Sequence, residues 1–165
     1  MTLLNSKFDV TSRDPHPNAL AGLVVILDVA DAPARDEYGT PTAGDIEPGH
    51  IVEMNTNGKA ILAQGPVIGS AAPKLFAITV DGDVDHDGAA AHRITCIVGG
   101  GQFKTDKYVN TSYTIGAPLA VGTSSNAGLL TPWTVSTQQV YGYVGPEGLN
   151  TTTSLLDIVI PQGRG

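Results

Sequence analysis

Glycine and proline are spread so evenly along this chain that no long stretch is free of a helix breaker. Twenty Gly and eleven Pro punctuate the 165 residues from end to end. Proline removes a backbone donor and clashes with the preceding turn, and glycine in a helix interior costs about 1 kcal/mol. What lies between the breakers is short and rich in β-branched residues. Residues 21–29 (Ala-Gly-Leu-Val-Val-Ile-Leu-Asp-Val) form a nearly continuous apolar run and read as a strand buried on both faces. Residues 50–54 and 59–63 flank Thr56-Asn57-Gly58, which predicts a hairpin closed by a type I′ turn, since Asn and Gly both tolerate positive φ. Residues 74–80, 93–98, 102–105, 117–121, 128–131, 139–144 and 155–160 add further strands, and a short turn near 106–112 is the only helical allowance. The expected fold is all-β: a single small barrel or sandwich of short antiparallel strands with long loops.

The chain is the length of one ordinary domain. Residues 1–18 mix Asn, Ser, Asp and Arg with Pro15 and Pro17 and follow neither the helical nor the strand period. They read as an extended N-terminal arm that orders only when something holds it, with Phe8 and Val10 as apolar anchors. Residues 19–165 form the β domain. Within it, residues 31–48 carry Pro33, Pro41, Pro48, Gly39 and Gly44 and read as a long loop. Gly99-Gly100-Gly101 lacks the Gly-Lys-Ser/Thr of a phosphate cradle and leads into Gln102, Phe103 and Lys104, so a bulge or tight corner is expected there. A weak internal echo links residues 49–60 to residues 116–130: a glycine, a strand, a polar turn, a glycine and a second strand.

Only 15% of residues are charged, against the ~25% usual for a globular domain, while 41% are hydrophobic. Such a surface is covered with Thr, Ser, Asn and backbone, or is hidden against partners. The formal charge of −7 and nine basic residues scattered singly argue against nucleic acid, which needs clustered Lys and Arg. The longest apolar stretch, residues 19–30, is interrupted by Asp28 and falls short of the ~20 residues that span a bilayer, so no membrane is expected. The start has neither a basic segment nor an apolar core of a secretory signal, which implies synthesis in the cytosol and makes the sequons at Asn110 and Asn150 incidental. Cys96, the only cysteine, lies in an apolar run and is expected to be a small buried hydrophobe.

The most chemical-looking stretch is residues 81–88. Asp83, Asp85 and Asp87 followed by Gly88 match the first half of a calcium loop, in which alternate carboxylates converge on a hard cation. The match then fails, because the twelfth position falls on Ile94 inside a predicted strand; a solvated acidic turn is the expectation, with no metal. His86 and His92 lack a third soft ligand for zinc. Ser124 and Ser125 have no nucleophile elbow around them. No catalytic residue and no cofactor site is therefore assigned.

Four segments carry a resemblance. A glycine, strand, Asn-Gly turn, strand unit occupies residues 49–63. Gly-Ala-Pro-Leu-Ala-Val leading to Ala-Gly-Leu-Leu-Thr occupies residues 116–131. Tyr-Gly-Tyr-Val-Gly stands at residues 141–145, and a closing aliphatic strand at residues 155–160. This cadence, over about two thirds of the chain, resembles the capsid cement (decoration) family of tailed phages. The resemblance implies a non-enzymatic virion protein that binds the major capsid protein on the outside of the head, commonly as a homotrimer, and stabilises the shell. The 31–48 loop and the 81–88 insert depart from the simplest family pattern. Attachment by β-augmentation through the N-terminal arm is compatible with it. Two other classes fit parts of the sequence. A carbohydrate-binding or adhesin-like module would use Trp133 or the Tyr141/Tyr143 pair. A small hydrolase would draw Asp36, Glu37 or Asp45 from the long loop.

Overall fold

In a computed structural model, the described residues are 8–10, 23–29, 46–65, 75–80, 93–134 and 138–161. Short β-branched runs become eleven strands among them: β1 (Phe8–Val10), β2 (Leu23–Asp28), β3 (Ile51–Met54), β4 (Ala60–Leu62), β5 (Phe76–Thr79), β6 (Arg93–Val98), β7 (Gly101–Thr105), β8 (Pro118–Val121), β9 (Leu130–Pro132), β10 (Gly142–Asn150) and β11 (Leu155–Ile160). One 3₁₀ turn, Ser124–Asn126, is the only helical element among the described residues. The strands form two antiparallel sheets, one of six strands in the order β1-β7-β11-β10-β8-β9 and one of five in the order β2-β6-β5-β3-β4.

The chain changes sheets at the glycine run. β6 belongs to the smaller sheet and β7 to the larger, and Gly99, at φ 90°, makes the corner between them. Only glycine adopts that backbone without strain. The main core lies between the sheets. Ile51, Phe76, Ile78 and Ile97 from the smaller sheet pack with Phe103, Leu119, Val144, Leu156 and Ile158 from the larger. Because side chains alternate along a strand, each strand of the smaller sheet also has a second face. There Val52, Ala60, Ala77, Ile94 and Cys96 form a second buried cluster with Val29 and Ile46. A single parallel bridge joins Val29 to Ala60, so the two edges of the five-stranded sheet curl towards each other around this cluster. The sheets do not close into a barrel; the sandwich is what forms.

Residues 8–10 form a strand, with Phe8, Asp9 and Val10 registered on Thr105, Lys104 and Phe103 of β7. Two expectations are corrected. The hairpin at residues 51–62 is present, but Asn57 does not take positive φ. Gly58 N–H bonds to the Asn55 carbonyl (3.0 Å), Gly58 sits at φ 74°, and Asn55 and Lys59 pair (2.8 Å). This is a type I turn followed by a left-handed glycine, favoured because Asn55 Oδ1 accepts the N–H groups of Asn57 (2.9 Å) and Lys59 (3.1 Å). Finally, β2 is an edge strand and is not buried on both faces.

Candidate functional site

β2 is Leu-Val-Val-Ile-Leu-Asp, a sequence whose branched side chains suit a pleated, half-buried strand. It pairs with β6 through Val24↔Ile97, Ile26↔Thr95 and Asp28↔Arg93. Directly opposed residues share a face, so Val24 and Ile26 continue the row that begins in the inter-sheet core. Cover by the larger sheet ends at that point. Ile97 is 8% exposed, whereas Val24 is 60% and Ile26 is 68% exposed. The row is closed at one end by an exposed ion pair, Arg93 Nε to Asp28 Oδ1 at 3.0 Å. On the other face of β2, Val25 and Leu27 look across a cavity of about 110 Å³ towards Val98, Met54 and Leu75. The last two are half or more exposed at its rim. Among the described residues no strand pairs with β2 on the side away from β6; Val29, just past its end, makes the single bridge to Ala60. Among the described residues β2 therefore presents apolar side chains beside an edge that no strand pairs, which is the chemistry of a contact edge.

The larger sheet's outer face carries a satisfied polar cluster. Asp157 is buried there, and its carboxylate accepts both contacts of the Gln102 amide (2.9 and 3.0 Å) and the Glu147 N–H (2.9 Å). Gly145 leaves room for it, since a Cβ there would stand 2.4 Å from Asp157 Oδ2. Lys104 bonds Glu147 at 2.7 Å beside it. A buried carboxylate with this many donors is a structural device that fixes three strands.

Cys96 is buried in the second cluster, as its apolar surroundings predicted. The Tyr141/Tyr143 pair is split. Tyr141 packs on the main core with its ring edge-on to Phe76 (5.9 Å, 78°), and burial pushes its hydroxyl pKa up, while Tyr143 faces solvent. The two rings do not share a sugar platform. Trp133 is half-buried and its indole N–H donates to the Gln138 carbonyl at 3.0 Å. Ser124 is at positive φ in the 3₁₀ turn, where its N–H bonds Gln64 Oε1 (2.8 Å). Asp36, Glu37, Asp45, Asp83, Asp85, His86, Asp87 and His92 lie outside the described residues. Among the described residues no three His, Cys, Asp or Glu side chains cluster to hold a metal, and no helix is long and apolar enough to cross a membrane. No family model, no curated protein and no solved structure matches this chain.

Proposed function

We propose that this chain is a capsid cement protein, a virion structural component that binds the outer surface of a tailed-phage head and stabilises it. The observation that carries the reading is the β2 edge: an apolar row, Val24 and Ile26, on a strand that no described strand pairs on the side away from β6. Two of the segments that resemble the cement family fall on the β3–β4 and β8–β9 hairpins, and the other two on β10 and β11. Phe8–Val10 is engaged with β7, so its two apolar residues are not the proposed attachment surface; the β2 edge is. An edge of this kind takes an extended segment of the major capsid protein as an added strand, backbone bonds supplying affinity and the apolar row specificity. Several copies held together, as in a homotrimer, would multiply a weak single contact through effective concentration.

The test mixes the purified chain with decoration-free heads of the phage that encodes it and measures the bound fraction by sedimentation. Saturable co-sedimentation, with heads that withstand higher temperature, is expected. A chain that stays in the supernatant at all head concentrations refutes the assignment.

A further inference from the structure

A cluster of titratable side chains joins the two sheets at a place remote from β2. Glu47-Pro48-Gly49-His50 is a tight turn: His50 N–H bonds the Glu47 carbonyl (3.1 Å), with Pro second and Gly49 at φ 86° third. That is the residue order a type II turn requires. The turn leads into β3 of the smaller sheet, yet much of what grips it belongs to the larger sheet and to the segment that follows β7. The Glu47 carboxylate forms an ion pair with Lys107 Nζ, and Asp106 Oδ1 lies 3.4 Å from the same ammonium. The Thr105 hydroxyl donates to the Gly49 carbonyl (3.2 Å) and accepts the Lys107 N–H (3.0 Å). From β5, the Thr79 hydroxyl reaches the carbonyls of Glu47 (2.7 Å) and His50 (3.3 Å).

His50 fixes the turn from inside. Its Nδ1 accepts the Glu47 N–H at 2.9 Å, and the side chain is buried. Only a neutral imidazole can accept there, because the imidazolium has two donors and no acceptor. We infer that the 47–50 turn is an acid-sensitive latch between the two sheets, held while His50 is neutral and released when its ring takes up a proton. A proton on Nδ1 sets two donors against each other, and it places a cation beside the Lys107 ammonium in a site largely closed to water. The ring has to leave, and the carbonyls that Thr79 and Thr105 hold move with it. The charged groups that face the ring among the described residues are Glu47 from its own turn and Lys107, with Asp106 behind Lys107; β5 and β7 offer only the hydroxyls of Thr79 and Thr105.

Burial first, and Lys107 second, push the imidazole down from 6.5 to about 4, with Glu47 pulling the other way. The unfolded chain therefore takes up this proton at higher pH than the native one. Stability contributed by neutral His50 is fully present above pH 6.5 and is lost as pH falls towards 4.

Two measurements decide it. The first is an NMR titration of the full chain, following the His50 ring and the backbone amides. The ring should titrate near pH 4, and the amides of Glu47, Gly49, His50 and residues 105–109 should shift with the same midpoint while those of β10 and β11 stay still. The second compares melting temperature against pH for the wild type and His50→Asn, whose Oδ1 can replace Nδ1 as acceptor without titrating. The wild type should lose several degrees more than the variant between pH 6.5 and 4. Titration of His50 near its ordinary value, amides at 47, 49, 50 and 105–109 that ignore it, or parallel melting curves would each overturn the latch. The NMR arm needs only the wild-type chain, so it decides the matter even if His50→Asn does not fold.

Discussion

On the flank formed by the β3–β4 and β8–β9 hairpins, backbone groups of one sheet bond those of the other. Ile51 N–H donates to the Gly128 carbonyl (2.9 Å), Gly128 N–H to the Ala63 carbonyl (2.8 Å), and Gly65 N–H to the Gly122 carbonyl (3.0 Å). On the flank formed by β2, the smaller sheet runs past its cover and leaves Val24 and Ile26 in water. Both flanks are built from short aliphatic strands, so hydrophobicity alone does not separate them. Glycine separates them. Its missing Cβ lets two backbones come within hydrogen-bond distance at the first flank, whereas β2 carries branched side chains at every position from Leu23 to Leu27. One flank is sealed by the chain's own backbone, and the other leaves apolar surface exposed along a strand that no described strand pairs on its outer side.

Substitutions at the two flanks should behave oppositely. Gly65→Ala should have the largest effect on stability, because its Cβ would stand 2.0 Å from the Val121 carbonyl oxygen, a backbone atom that moves only with the strand. A loss of about 3 kcal/mol, at the upper end of overpacking costs, is expected from the urea midpoint. A change near zero would mean that the sealed flank is not in contact. At the far end of the β3–β4 hairpin nothing lies within 4 Å of a Cβ on Gly58, so only its φ of 74° is at stake. Gly58→Val should cost more than about 1 kcal/mol from strain alone; an unchanged melting curve would remove the turn assignment. On the open flank, Val24→Lys with Ile26→Lys should alter stability by no more than about 0.5 kcal/mol, as at ordinary exposed positions. A large loss there would show that the row is buried in the folded chain and is not a contact edge. Smallest of all is the effect of a chelator. Excess EDTA should leave the melting temperature unchanged if Asp83, Asp85 and Asp87 hold no structural ion, and a drop reversed by calcium would contradict that.

Strand positions were legible in the sequence wherever a β-branched run stood between turn signals: residues 93–98 and 155–160 are β6 and β11 without adjustment. The glycine corner after β6 was legible for the same local reason. What was not legible depends on partners distant along the chain. β1 is three residues in a polar context and exists through pairing with β7. The exposure of β2 follows from its place at a sheet edge, which a run of apolar residues does not encode. The turn at Asn55–Lys59 differs from type I′ because one side chain, Asn55, bonds two backbone N–H groups. The burial of Asp157 rests on Gln102, 55 residues away, and the Glu47–Lys107 pair spans 60. Pro48-Gly49 was a turn signal in plain view, but the imidazole acceptor that fixes it emerges only in three dimensions.

Whether β2 is the contact edge can be read directly from backbone hydrogen exchange of the chain, free and bound to decoration-free heads. Binding should slow exchange across residues 23–28 and leave Ile51, Gly65, Gly122 and Gly128 unchanged, since their amides are already bonded at the sealed flank. Protection that appears on other strands while residues 23–28 exchange as fast as in the free chain would contradict a docking edge at β2.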